Sequence, residues 1–226
     1  MPSKRFKEVK ATIDPENIYS VDEAIGLAKS TSTVKFDASV ELHLRLGIDP
    51  SKTDQLVRGT ISLPYASGKT KRVAAFVESD KEDVAKKAGA DIVGGEDLIN
   101  EIVSKGKIDF DVAVATPSMM PKIAKAAKVL GPKGLMPNPK SDTVGTDLEK
   151  MIKEQKAGKL SFRNDNGGNL HVIIGKVSQP EAEIKANYEA ILDLVNKIKP
   201  SSAKGIYLRG GYITTSMGPS IKIELE

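Results

Sequence analysis

The chain has 226 residues, 39% of them hydrophobic and 4% aromatic, with no tryptophan and no cysteine. That length suits one large domain or two small ones with aliphatic cores, and the missing cysteine excludes disulfides, thiolate zinc sites and thiol nucleophiles. The net charge of +4 leans mildly toward nucleic acid, and most of the excess sits in residues 67–159, with 17 basic against 14 acidic groups.

The opening "MPSKRFKEVK" is basic but has no apolar stretch, so no secretory signal is expected. No later apolar run approaches the roughly 18 residues of a membrane span, and a cytoplasmic location is expected. "SVDEAIGLAKS" reads as a helix, with Ser20 as N-cap and Glu23 completing a capping box. "FDASVELHLRLG" alternates: Phe36, Ala38, Val40, Leu42, Leu44 and Leu46 point one way, and Asp37, Ser39, Glu41, His43 and Arg45 the other. This period of two predicts a half-buried strand, with "QLVRGTISLP" as its neighbour, ended by Pro64. From about Ser67 short apolar runs appear, "RVAAFV", "DIVGG" and "DVAVAT", separated by helical stretches. Asp80 and Gly89 serve as start and stop signals for the first of these, and "SMMPKIAKAAKVLG" and "TDLEKMIKEQKAG" predict two more helices. After Lys159, "KLSFRND" and "NLHVIIGK" flank "NGG", a hairpin signal. Ser178 and Pro180 open a long helix with a stripe of Ile184, Tyr188, Ile191, Val195 and Ile198. "GIYLRGGYITT" and "PSIKIEL" close the chain as strands.

Alternating buried strands and helices in the middle predict a small parallel, doubly wound, Rossmann-like α/β domain at residues 67–158. Neither flank can bury a core alone. Together, residues 1–66 and 159–226 predict one discontinuous α+β outer domain into which the α/β domain is inserted. The two chain crossings that join them predict a hinge.

The candidate chemistry argues against an enzyme. "ASGKT" at Ala66–Thr70 resembles the end of a phosphate loop, but Leu63 stands where that loop needs glycine, and a strand follows instead of a helix. The bland reading is a domain-joining turn. "GPKGLMPNPK", Gly131–Lys140, has three prolines that remove the donors a phosphate nest needs, which predicts a stiff ordered loop. Lys122, Lys125, Lys128, Lys133 and Lys140 occupy a window free of acids, so a basic surface for a polyanion competes with a merely solvated helix. His43 and His171 are the only histidines and lack partners at ligand spacing, so neither metal nor cofactor is expected. Glu96 and Asp97 sit at a helix start, where the helix dipole explains them. "TTSMGPS", Thr214–Ser220, puts hydroxyls and an exposed glycine in a turn, which permits close approach to a sugar–phosphate backbone but is also an ordinary β-turn.

Eight stretches, "KFDASVELHLRLGIDP", "VRGTISLP", "GKTKRV", "AGADIVGGEDLI", "DFDVAVATPSMM", "LGPKGLMPNPKSDTVG", "KAGKLSFRNDNGGNLHVIIGK" and "TTSMGPSIKIE", occur in one order across nearly the whole chain. Together they resemble the universal L-one family, the bacterial large-subunit ribosomal protein of the mobile stalk beside the tRNA exit site. The resemblance implies a non-enzymatic structural protein of the ribosome, a monomer when free. It implies that the outer domain binds stalk rRNA and that the inserted domain reaches toward exit-site tRNA. It also implies repression of its own operon through a stalk-like mRNA element.

Carried over by position, the rRNA contacts are Lys35, Phe36, Ser39 and Glu41 at the strand start and Ser216, Met217 and Gly218 in the C-terminal turn. Arg163 and His171 are weaker carry-overs, and Lys133 and Lys140 are candidates for tRNA or a second RNA. Some relatives have Thr where this chain has Ser39 and Ser216, which keeps the hydroxyl and loses a methyl contact. Phe36 falls on the apolar face of its strand, where core packing competes with an RNA contact. The implied site is largely neutral. It should recognise a folded RNA shape, with a salt dependence shallower than that of proteins making about 6–10 phosphate contacts.

Overall fold

The structure, a computed structural model, describes residues 4–65, 71–106 and 108–225. The Ala66–Thr70 stretch, read above as a turn, lies outside the described residues. The helices are α1 (Lys4–Lys10), α2 (Val21–Ser30), α3 (Glu82–Lys87), α4 (Glu96–Lys105), α5 (Met120–Ile123), α6 (Ala127–Leu130), α7 (Leu148–Lys156) and α8 (Glu181–Lys197). The strands are β1 (Ser39–Leu46), β2 (Arg58–Ile61), β3 (Val73–Phe76), β4 (Ile92–Gly94), β5 (Val112–Ala115), β6 (Leu160–Arg163), β7 (Asn169–Lys176), β8 (Leu208–Thr215) and β9 (Ile221–Ile223). They fall into two compact units, Met1–Gly68 with Ser161–Glu226, and Lys69–Leu160. None of the described helices is long and apolar enough to cross a membrane.

The discontinuous unit is α+β. Its four-stranded sheet has the order β7-β1-β8-β9, with every pair antiparallel. Alternation along β1 buries Val40, Leu42, Leu44 and Leu46 on one face. Leu170 and Ile174 of β7 and Ile213 of β8 are fully buried too. α2 packs against β8, β9 and α8, and α8 packs against β7. Ile25 of α2 and Ile184, Ile191 and Val195 of α8 are wholly buried, so both helices spend their apolar stripes on this core. The Ser20–Glu23 capping box is formed and satisfies the orphan N–H groups that start α2. The other sheet face presents exposed Tyr212 and Ile173.

Two sequence expectations fail in this unit. β2 pairs with β6 in a separate two-stranded sheet and is not the neighbour of β1, whose edges are taken by β7 and β8. "NGG" does not close a hairpin, because β6 and β7 join different sheets. The Asp165 carboxylate accepts from the Gly167 and Asn169 N–H groups at 2.8 and 2.7 Å, which turns the chain between them. α1 was not anticipated either.

The inserted unit has a parallel three-stranded sheet in the order β4-β3-β5. Its strands bury both faces. Ala74, Phe76, Ala113 and Ala115 face one cluster with Ile99 and Ile102 of α4, Ile123 of α5 and Leu130 of α6. Val73, Ala75 and Val114 face another with Ala85 of α3 and Met151 and Ile152 of α7. Helices on both faces make the sheet doubly wound. Gly89, with φ of +96°, follows α3 as expected, but Asp80 lies in a 3-10 turn, and Lys81 holds the N-cap position without a side-chain bond. The predicted helix over "SMMPKIAKAAKVLG" is broken into short α and 3-10 turns, with Pro117 and Pro121 each in the first turn of its own segment.

Candidate nucleic-acid interface

The register of β1 with β8 carries the first site stretch to the last. Val40 pairs with Thr215, so the start of β1 meets the β8–β9 turn. The Ser39 N–H donates to Ser216 Oγ at 3.2 Å, and the Ser216 N–H donates to the Ser39 carbonyl at 2.9 Å. Glu41, half-buried, sits opposite Thr214 on the open face of the sheet.

The turn itself is tight. The Gly218 N–H donates to the Thr215 carbonyl at 2.8 Å, closing a four-residue turn. Met217 sits at its third position with φ of +66°, a conformation that costs a side-chain-bearing residue energy. Its side chain is nevertheless 68% exposed. Thr214 Oγ1 donates to the Pro219 carbonyl at 3.1 Å, and Arg5 of α1 donates to the Met217 carbonyl at 3.2 Å and to Thr33 Oγ1 at 2.9 Å. The backbone is thus clamped from both sides while the Met217 side chain stands free. A Cβ on Gly218 would lie 2.2 Å from Thr215 Oγ1, so glycine there is demanded by the protein's own packing.

Two neighbours were missed in the sequence. Lys176, at the end of β7, donates from Nζ to Ser39 Oγ at 2.9 Å and to the Asp37 carbonyl at 3.3 Å. Arg5 belongs to the unanticipated α1. Only the strand register and the docking of α1 bring these cations to the site, and with exposed Lys35 they make it less neutral than expected. The Asp37 carboxylate is engaged by the Ser178 N–H and hydroxyl at 3.1 and 3.0 Å.

Phe36 corrects the strand reading. β1 starts at Ser39, so alternation does not reach back to Phe36, whose ring is 58% exposed and not in the core. Arg163 does not join the cluster. It ends β6 in the other sheet, and the chain beyond it enters at Asn169, opposite Arg45. His171 lies midway and directly opposite His43. Their Nδ1 atoms are 2.7 Å apart, so one ring donates and the other accepts. The two histidines that lacked partners in sequence are therefore each other's partners. Burial and the His171 charge hold the His43 pKa below its ordinary value. The His171 Nε2 lies 3.5 Å from Asp165, whose carboxyl is pulled down to about 2 by the backbone N–H and side-chain amide of Asn169 and the N–H of Gly167. Among the described residues no group of three or more His, Asp or Glu side chains could hold a metal.

Lys133 and Lys140 belong to the inserted unit and are both exposed. Their loop is ordered by its own bonds. The Leu135 N–H donates to the Leu130 carbonyl at 3.0 Å, and Leu135 and Met136 pack on the core. Asn138 Oδ1 accepts from the Lys140 N–H at 2.9 Å. Lys122, from the same acid-free window, is paired with Glu96 at 2.7 Å and so contributes less free charge than its position suggested.

The strained turn, with Met217 exposed, is thus locked to the start of β1. A family model described as the ribosomal protein L1p/L10e family matches residues 28–219. The chain belongs to this family, whose members are structural ribosomal proteins and not enzymes. It is 51% identical over 222 residues to the large ribosomal subunit protein uL1 of Streptomyces avermitilis, covering 98% of this chain and 92% of that one. Against the proteins of that name from Thermobifida fusca and Corynebacterium aurimucosum the identities are 50% and 51%, each covering 98% of this chain and 94% of the relative.

Proposed function

We propose that the chain is a structural constituent of the large ribosomal subunit that binds stalk rRNA through the Lys35–Glu41 and Ser216–Gly218 sheet end. The carrying observation is the reciprocal Ser39–Ser216 bonding, which fuses two stretches 177 residues apart into one surface. On it, Phe36 and Met217 present apolar side chains to solvent, and Ser39, Glu41 and Lys176 present polar groups. Unstacked bases in a folded RNA meet such surfaces by stacking and by 2′-hydroxyl contacts. His171 extends the surface along the open sheet face, and Arg163 is not part of it.

Phe36→Ala should weaken binding of a stalk rRNA fragment about tenfold, since stacking on one aromatic is worth roughly 1–3 kcal/mol, and Met217→Ala should weaken it severalfold through lost apolar contact with the RNA. Both side chains are exposed, so the fold should not change. Unaltered dissociation constants in both variants would reject the surface. The same surface serves repression of the protein's own operon. An mRNA element should compete with the rRNA fragment and lose affinity in parallel in both variants; independent binding would separate the two roles.

The inserted unit assists movement and release of exit-site tRNA, with Lys133 and Lys140 on a stiff loop as the phosphate contacts. Lys133→Glu with Lys140→Glu should slow tRNA release from ribosomes carrying the variant. Unchanged release would leave the loop as scaffold.

A further inference from the structure

At the opposite end of β1 from the turn lies an open pocket of about 390 Å³ lined in part by Gly47, Asp49, Lys52, Gln55, Lys204 and Arg209. Three cations face one carboxylate there. That carboxylate is already committed: Asp49 accepts from the Ser51 N–H and hydroxyl at 3.1 and 2.5 Å and lies 3.8 Å from the Lys52 ammonium. Lys204 and Arg209 make no ion pair among the described residues.

Arg209 is placed by a bulge. Arg45 pairs with Gly210 and Leu46 with Leu208, so Arg209 is the extra residue on β8. A bulge re-aims the side chain it carries. Here the guanidinium crosses Gly47, whose missing side chain leaves room: a Cβ would lie 3.1 Å from Arg209 Nε and 2.1 Å from the Ile206 carbonyl. Gln55, 9% exposed, holds the floor by accepting from the Asp49 N–H at 2.7 Å and donating to the Ser202 carbonyl at 3.4 Å. A planar guanidinium on a formed floor, with two lysines beside it, suits a phosphate oxygen pair.

We propose that this pocket binds backbone phosphate of the same RNA that the Ser39–Ser216 end recognises, which rests on the reading given above. Seven residues of β1 separate the two ends, about 23 Å at a strand's ~3.3 Å rise per residue. The open sheet face between them carries Glu41, His43, Tyr212 and Thr214, and a folded RNA lying along β1 and β8 reaches both ends.

The test is titration of full-length protein with a labelled stalk rRNA fragment between about 50 and 200 mM salt. Arg209→Gln with Lys204→Gln, which removes both charges and keeps polar side chains, should weaken binding roughly tenfold or more at the low end and cut the log–log salt slope by about 1.5. If Arg209→Gln melts early, Lys204→Gln with Lys52→Gln carries the same test. Unchanged slope and affinity overturn the pocket, and Met217→Ala in parallel separates the readings. Loss with Met217→Ala alone leaves the sheet end standing and removes the pocket. Loss with the glutamine pair alone supports the pocket and removes the sheet end. Inorganic phosphate is the last arm. Sub-millimolar binding of it by the wild type, with RNA affinity indifferent to the glutamine pair, would assign the pocket to a free anion and overturn the proposal.

Discussion

Gly218→Val should lower affinity for a stalk rRNA fragment about 100-fold, some 2.8 kcal/mol at 1.4 kcal/mol per factor of ten, while the protein stays folded. The added Cβ would meet Thr215 Oγ1 at 2.2 Å and the Thr215 carbonyl at 3.2 Å. Thr215 is 2% exposed and β-branched, so its side chain has little freedom to move aside. The turn must yield instead, taking with it Ser216, which is bonded to Ser39, and Met217, which already holds a positive φ. The damage stays at a sheet end, and the buried faces of β1 and β8 keep their packing. Native circular dichroism with wild-type affinity would contradict the assignment. A second pair of variants identifies the cause. Thr215→Ala should restore part of the affinity lost in Gly218→Ala, because it removes the colliding hydroxyl. No restoration would mean that the RNA itself requires the bare glycine.

Asn187→Leu should destabilise the discontinuous unit by about 3 kcal/mol, a large share of the roughly 5–15 kcal/mol that holds a domain. Asn187 is fully buried in the apolar stripe of α8. Its Oδ1 accepts from the Tyr65 N–H at 3.0 Å, and its Nδ2 donates to the Tyr65 and Ile174 carbonyls at 2.9 and 2.8 Å. Val40 pairs with Gly175 and Glu41 with Ile173, so Ile174 is the residue a bulge in β7 leaves without a cross-strand partner. Leucine fits the volume but strands those backbone groups, each costing about 1–3 kcal/mol when buried without a partner. Urea unfolding measures it, and an unmoved midpoint would show that water replaces the amide.

Much of the fold was legible because its signals are local. The alternation from Ala38 to Leu46, the Ser20–Glu23 box and the α8 stripe each need only a few consecutive residues. Pairing partners were not. β2 and β6 find each other across some hundred residues, and nothing in "RGTI" names "LSFR". The "NGG" signal was overruled because Asp165 caps the segment and sends its two flanks to different sheets. Phe36 shows the same limit at one residue: period two was extended past the strand's true start, where ladder bonding no longer fixes the side chain's direction.

The sequence by itself determined the family, the absence of cysteine chemistry, the apolar faces of the main helices and strands, and the residue types available to meet RNA. These depend on composition and on neighbours a few positions apart. Only the tertiary structure decided that Ser39 and Ser216 share bonds, that Lys176 and Arg5 stand beside them, and that Arg163 does not. It alone showed that His43 faces His171, that Gly218 is bare because of Thr215, and that Asn187 answers a bulge. Each of these rests on register, and shifting a strand by one residue turns every side chain to the other face. Register is set jointly by the packed core and the turns, so no short stretch of sequence carries it.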